Sequence, residues 1–169
     1  HKEYRRQRQM CIRDRISGSP LGVDGWPKGM PLSANLDQIT QQFDTKISTW
    51  EKFNKVRMQP SEMSMPGTVR MIPATDIDAR ILREARHQLQ DLTGLYRNDI
   101  DTYEFHISLG YLKQWYNDDE AAAAIAEADS LFYSHLSAYR DLEFGPIEFC
   151  KFQNMHYFEI IRVLGNAKS

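Results

Sequence analysis

Apolar residues spaced three and four positions apart predict two helices in this chain, and the run Asn117-Asp118-Asp119 predicts the start of a third, because acids suit a helix N-terminus. The first is expected over about residues 35–52, the second over 75–94 and the third over 117–139. The first helix carries an apolar stripe in which Trp50 is expected to lie in the core: Leu36, Ile39, Phe43, Ile47 and Trp50.

The second helix has the clearest signals at its ends. Thr75 and Asp78 resemble an N-terminal capping pair, and Gly94 is a typical stop. Its apolar stripe consists of Ile77, Ile81, Leu82, Ala85, Leu89 and Leu92. Three arginines are expected on the opposite, solvated side: Arg80, Arg83 and Arg86.

Short runs of apolar and β-branched residues predict the strands. "FNKVRMQP" (53–60) and "GTVRMIPA" (67–74) indicate a hairpin with "SEMSMPG" as its turn. Later strands are expected in "TYEFHISLGYL" (102–112), in "FGPIEFCKFQ" after the turn at Gly145-Pro146, and in "HYFEIIRVL" (156–164). This order predicts an α+β fold with a mostly antiparallel sheet and packed helices.

The strand around His106 carries the candidate chemistry. Tyr103, Phe105, Ile107 and Leu109 alternate with Glu104, His106, Ser108 and Gly110, so the first set is expected to bury and the second to share the other face. His106 and Ser108 would then stand about 7 Å apart, pointing the same way. That arrangement suits an anion-binding site and equally suits an ordinary half-exposed strand.

A second His-x-Ser tripeptide, His135-Leu136-Ser137, lies within the third helical pattern. Residues two apart in a helix point to different sides, so this pair is not expected to converge on one ligand. His135 is therefore assigned a structural or surface role.

Length and composition exclude several classes of protein. The 169 residues fit one domain, and a hydrophobic fraction of 41% is enough for a core. No run has the length and apolarity of a membrane span, and none reads as a secretory signal. The two cysteines, Cys11 and Cys150, are too few for a disulfide framework, so a cytoplasmic location is expected. No metal-ligand spacing or glycine-rich phosphate loop is evident, and no metal or cofactor is expected.

The charge is unevenly distributed. The first fifteen residues, "HKEYRRQRQMCIRDR", hold six Lys or Arg and two Asp or Glu, whereas the rest hold fifteen and twenty-one. A basic arm of this kind suits nucleic-acid binding or a disordered tail. "RQRQMCIRDR" also resembles translated sequencing adapter. We therefore expect a non-native or disordered leader over 1–16 and a single partial domain over 17–169.

Three segments together carry a family resemblance: "GWPKGMPLSANLDQIT", "YEFHISLGYL" and "FGPIEFCKFQNMHYF". "FHISLGYL" resembles the H-x-[ST]-hydrophobic motif of the 2H phosphoesterases, which include bacterial RNA 2′,5′-ligase-like proteins and cyclic phosphodiesterases. The three segments resemble an uncharacterised bacterial and fungal branch of that group. The resemblance covers about residues 17–164.

The resemblance implies a two-lobed α+β fold in which each lobe contributes one H-x-[ST] strand to a central cleft. One histidine acts as general base and the other as general acid on a phosphodiester, while the hydroxyls hold its nonbridging oxygens. It implies catalytic roles for His106 and Ser108, with no metal or cofactor. From the residues themselves, Tyr103, Tyr111 and Phe152 suit either stacking on a substrate base or a place in the core. Glu104 suits either orientation of the His106 imidazole or the role of an ordinary surface carboxylate.

The sequence departs from the family pattern because it contains one strand-borne motif. The first motif is expected before "SGSPLGVDGWP", where the adapter-like run lies. We therefore expect an incomplete version of the fold, truncated at its N-terminus and inactive or nearly so. The partner implied is a nucleotide or RNA-like phosphodiester, with no membrane and no obligate protein partner. A non-catalytic phosphate- or nucleotide-binding module is the alternative, and a twofold dimer that rebuilds a two-histidine cleft is a third possibility.

Overall fold

In a computed structural model of the chain, the described residues are 26–50, 53, 55–65, 67–96, 98–110, 116–154 and 157–164. Their elements, in chain order, are α1 (Leu36–Ile47), β1 (Val56–Met65), β2 (Thr68–Pro73), α2 (Asp76–Thr93), β3 (His106–Ser108), α3 (Asp118–His135), β4 (Leu142–Phe144), β5 (Ile147–Asn154) and β6 (Tyr157–Leu164). All strand pairs are antiparallel. The predicted α+β fold with an antiparallel sheet is confirmed.

The chain divides into two compact units. In its described part, the first unit comprises Val56–Ala79 and Glu104–Phe144. The second comprises the described residues within 26–55, 80–103 and 145–164. Helix α2 begins in the first unit and continues in the second.

The first unit is built on a four-stranded sheet in the order β3-β2-β1-β4. Alternate residues on its strands are buried: Val56, Met58, Val69, Met71 and Phe144. Helix α3 packs against β1, and Phe132 is its buried residue. The apolar side of the sheet and this helix therefore form the core of the unit, as expected for a sheet with one apolar face.

The second unit is organised around α1 and the β5–β6 hairpin. Asn35 and Gln38 form a capping box at the start of α1, which packs against β6. Ile39 and Phe43 of this helix form a buried cluster with Leu95. Partly buried apolar residues pack around that cluster: Trp26, Met30, Ala34 and Phe149.

Helix α2 begins and ends where the sequence predicts. The Thr75 hydroxyl accepts a hydrogen bond from the Asp78 amide at 3.2 Å, which confirms the capping pair. Gly94 has φ +70°, and its carbonyl accepts from the Lys28 amide at 2.8 Å. A Cβ on Gly94 would lie 3.2 Å from Lys28 atoms, so both the conformation and the close approach require glycine there.

The prediction that Arg86 lies on a solvated face is wrong. Its exposed fraction is 5%, its guanidinium lies 3.9 Å from the ring centroid of Tyr103, and its Nε donates to the Ile100 carbonyl at 3.3 Å. Arg86 is four residues after Leu82 and three before Leu89. This spacing places Arg86 on the buried side of the helix, beside Leu82 and Leu89. The cation–π contact with Tyr103 allows its charge to be buried there.

The predicted turn "SEMSMPG" is mostly strand. β1 continues to Met65, and two register shifts against β2 leave Ser61 and Ser64 without partners in the ladder. Each of these serines instead directs its hydroxyl to a β2 carbonyl, of Arg70 and Thr68 respectively. Bulges of this kind allow a Pro- and Ser-rich run to remain in a sheet.

Other boundaries also differ from the prediction. α1 ends at Ile47, so Trp50 lies beyond it, half-buried, in an edge-on contact with Phe53. α3 ends at His135 rather than near Tyr139. The three-residue strand β4 was not predicted, and Leu109, which was expected to bury, is 55% exposed. The three residues of β4 are too few to show a strand period by themselves.

Candidate phosphate-binding site

His106 and Ser108 lie on β3, which pairs with β2. Backbone hydrogen bonds fix the strand on both sides: Met71 N–H donates to the Phe105 carbonyl and Leu109 N–H donates to the Gly67 carbonyl, each at 2.7 Å. The strand is only three residues long, so these bonds determine where its side chains point.

The register places two polar pairs side by side. Arg70 lies opposite His106, and Thr68 lies opposite Ser108. The flanking backbone bonds make both of them non-hydrogen-bonded pairs, in which side chains approach most closely, with Cβ atoms about 4.5–5.5 Å apart. We call these four residues the polar face. The alternate residues of β2, Val69 and Met71, are buried on the other side.

The turn between β1 and β2 positions this face. Gly67 has φ +82°, and its carbonyl accepts from Leu109 N–H at 2.7 Å and from Gly110 N–H at 3.3 Å. A Cβ on Gly67 would lie 3.3 Å from the Gly110 carbonyl oxygen. The absence of a side chain at Gly67 therefore lets the end of β3 approach the turn.

The imidazole of His106 is held through its Nδ1 atom, which lies 3.1 Å from the Glu104 backbone carbonyl oxygen. A carbonyl only accepts, so Nδ1 carries the proton and the lone pair of the neutral ring is on Nε2. The Glu104 side chain was expected either to orient this ring or to be an ordinary surface carboxylate, and the contact with Nδ1 comes from the Glu104 backbone. Its carboxylate instead binds Arg70.

The guanidinium of Arg70 binds two carboxylates, Glu62 at Nη1 and Glu104 at Nη2, each at 2.8 Å. The hydrogen bond that Arg70 donates to Glu62, followed by the charge of Glu104, raises the pKa of Arg70. All three side chains are exposed, so water and salt weaken these interactions. The two carboxylates outweigh the one cation, which leaves these three side chains with a net charge of −1.

The hydroxyls of Thr68 and Ser108 lie on the polar face with no hydrogen-bond partner among the residues that the structure describes. Both residues are half-buried. Hydroxyl groups in such positions bind water or a ligand. The polar face therefore presents an imidazole, two hydroxyls and a paired guanidinium.

The residues predicted to stack on a substrate belong to the second unit or lie outside the described residues. Tyr103 belongs to the second unit, with Arg86 over its ring. Phe152, also in the second unit, contacts Phe158 with ring centroids 4.9 Å apart. Tyr111 lies outside the described residues. His135 is the exposed last residue of α3, in agreement with its predicted helical position.

Two sequence-based expectations concern metals and membranes. Within the described ranges, no group of three or more His, Cys, Asp or Glu is placed to hold a metal ion. Cys150 is half-buried and forms no disulfide within the described residues. None of the helices in those ranges has the length and apolarity to cross a membrane.

Thr68 and Arg70 were missed by the sequence reasoning. The alternation in "TVRMIP" separates Thr68, Arg70 and Ile72 from Val69 and Met71, so their shared face was detectable. Their position opposite Ser108 and His106 was not, because the register between non-consecutive strands is not encoded in either strand alone.

Comparisons with known proteins give a structural neighbour. No protein-family model matches the sequence, and no curated protein is significantly similar to it. The chain is similar to a conserved protein of unknown function from Agrobacterium tumefaciens strain C58, whose crystal structure superposes with a TM-score of 0.70 at 27% sequence identity. The match covers 84% of this chain and 61% of the Agrobacterium chain.

Proposed function

We propose that this chain is part of a 2H-type phosphoesterase whose intact form acts on a cyclic nucleotide or an RNA-like phosphodiester. The observation that best supports this function is the placement of His106 and Ser108 two residues apart on β3, on one face of an antiparallel sheet. The resemblance of "FHISLGYL" to the H-x-[ST] motif supports the same reading. The function of the Agrobacterium protein is unknown, so the proposal does not rest on that similarity.

The chemistry assigned to the two side chains follows from their donors and acceptors. The Nε2 lone pair of His106 accepts the proton of a water molecule that attacks phosphorus, and the Ser108 hydroxyl donates to a nonbridging oxygen as negative charge develops there. The bond from phosphorus to the 2′ or 3′ oxygen breaks, and that oxygen needs a proton from a second acid. One imidazole supplies one of these two transfers.

A non-catalytic phosphate- or nucleotide-binding module is the second candidate. It is favoured by the fact that β3 is the only strand among the described residues with an H-x-[ST] pattern. Such a site binds a phosphodiester through Ser108 and His106 without turnover. Both candidates are expected to bind a phosphodiester, but only the phosphoesterase is expected to hydrolyse it.

The experiment is a ¹H–¹⁵N NMR titration of the full chain with 2′,3′-cyclic AMP, combined with chromatography of the nucleotide after long incubation. His106→Ala and Ser108→Ala are the test variants. His135→Ala is the matched control, since His135 is an exposed histidine of the other His-x-Ser tripeptide. We expect binding in the wild type and in the control, with loss in both test variants.

The outcomes separate the candidates. Turnover that falls about 10²–10⁴-fold in His106→Ala supports the phosphoesterase. Binding without turnover supports either the binding module or a phosphoesterase site that lacks its other H-x-[ST] motif. Absence of chemical-shift changes at β3 at millimolar nucleotide, or equal loss in His135→Ala, contradicts both.

A further inference from the structure

We propose that Thr68 is a second hydroxyl donor to the phosphate, so that the bound phosphate lies across β2 and β3 rather than along β3 alone. This inference rests on the proposed function of His106 and Ser108. It adds a residue from a different strand and fixes the orientation of the ligand on the sheet.

The first support is the register. Thr68 is the direct partner of Ser108 in a non-hydrogen-bonded pair, so the two side chains stand on the same face with Cβ atoms about 4.5–5.5 Å apart. Two hydroxyls at that separation can straddle one phosphate group, with each donating to a different nonbridging oxygen. His106, about 7 Å from Ser108 along β3, is then placed beside the same phosphate.

The second support is the contrast with other hydroxyl residues of the chain. Many of them donate to a nearby backbone carbonyl: Thr40 to Leu36, Thr45 to Gln41, Thr93 to Leu89, Ser134 to Ser130, Ser61 to Arg70 and Ser64 to Thr68. The Thr68 and Ser108 hydroxyls have no such partner within the described residues. Two hydroxyls that are half-buried, adjacent and available on the histidine face form a consistent anion-binding pair.

The third support is rigidity. Thr68 is β-branched and directly follows the Gly67 turn, and its backbone carbonyl accepts from the Ser64 hydroxyl. A β-branched side chain on a paired strand has few χ1 states, so its hydroxyl loses little freedom when it binds. Arg70, on the same face, is fixed by two carboxylates and supplies the local cation.

The test repeats the titration with 2′,3′-cyclic AMP on Thr68→Val, Thr68→Ser and a matched control, Thr45→Val. Valine keeps the shape and strand preference of threonine but lacks the hydroxyl. We expect Thr68→Val to weaken binding about tenfold or more, the order expected for loss of a hydrogen bond to a charged group. Thr68→Ser is expected to stay within about threefold of the wild type by the same reasoning, and Thr45→Val to be unchanged.

Thermal unfolding of each variant shows whether a change in affinity comes from a change in fold. If Ser108→Ala loses binding while Thr68→Val keeps the wild-type affinity, the role of Thr68 is refuted and the proposed function stands. Equal weakening in Thr68→Val and Thr68→Ser also refutes it, because the hydroxyl is then not the cause. If the wild type does not bind the nucleotide, the proposed function fails and this inference fails with it.

Discussion

Asp78 joins the start of α2 to β1, and its replacement is expected to destabilise the first unit in a pH-dependent way. Asp78 is 5% exposed. Its carboxylate accepts hydrogen bonds from the Arg57 amide at 2.9 Å and from the Thr75 hydroxyl. The neighbouring Ala74 amide donates to the Arg57 carbonyl at 2.9 Å. Both backbone groups of Arg57 therefore depend on the segment that begins α2.

The hydrogen bonds of this carboxylate set the size of the effect. In Asp78→Asn, the amide can accept from one donor but presents an NH₂ group to the other. Bonds to a charged acceptor contribute about 1.5–3 kcal/mol and neutral ones about 0.5–1.5, so the loss is about 2 kcal/mol. At about 2–4 °C per kcal/mol for a chain of this size, Tm should fall by roughly 4–8 °C.

The pH dependence follows from the same bonds. The Thr75 hydroxyl, followed by the Arg57 amide, lowers the pKa of Asp78, while burial acts in the opposite direction. The folded chain therefore binds fewer protons than the unfolded chain, whose Asp pKa is about 3.9. The contribution of Asp78 is fully present above about pH 4 and is lost as the pH falls through its folded pKa.

The assay is urea or thermal unfolding of the wild type, Asp78→Asn and Asp76→Asn between pH 2.5 and pH 7. Asp76 is the matched control, an exposed acid in the same first turn, expected to contribute about 0.3–1 kcal/mol through the helix dipole. The stability gap between wild type and Asp78→Asn should be constant above pH 5 and shrink below pH 4. A gap no larger than that of Asp76→Asn at pH 7, or one unchanged at pH 2.5, would refute the reasoning.

Three further predictions concern other positions. Arg86→Ala should lower the free energy of unfolding, measured in urea, by about 2–3 kcal/mol, because it removes buried packing and the hydrogen bond to the Ile100 carbonyl. If Arg86→Lys is as stable as the wild type, the planar guanidinium has no special role there. Gly94→Ala should cost about 1–3 kcal/mol in thermal unfolding, because it strains a left-handed position in contact with Lys28. Glu104→Gln should strengthen binding of inorganic phosphate about two- to fourfold in an NMR titration at low salt, since it removes one repelling charge; equal binding by wild type and variant would exclude that contribution.

The outline of the fold was predictable from the sequence because its signals are local. The α2 boundaries follow from Thr75, Asp78 and Gly94, which act within one helical turn of the ends. For Arg86, the sequence showed a spacing that places it on the apolar side of α2. It did not show what the guanidinium contacts there, because Tyr103 is seventeen residues away along the chain. The continuation of β1 was hidden because bulges at Ser61 and Ser64 break the strand period that sequence reading relies on.

In the candidate site, too, some residues were found from local sequence signals and others are brought in by strand pairing. The second group affects which ligand charge the site favours. His106 and Ser108 were found from their spacing on one strand, whereas Thr68, Arg70 and Glu62 reach the site through pairing with other strands. Arg70 and Glu62, together with Glu104, determine the charge beside the polar face. Two carboxylates around one guanidinium disfavour a dianion more than a monoanion, because the repulsion scales with ligand charge. A phosphodiester carries one negative charge and a phosphomonoester up to two near neutral pH. The charges of Arg70, Glu62 and Glu104 beside the polar face therefore favour a phosphodiester over a phosphomonoester, which is the order of affinity that the proposed phosphoesterase would need in order to release its product.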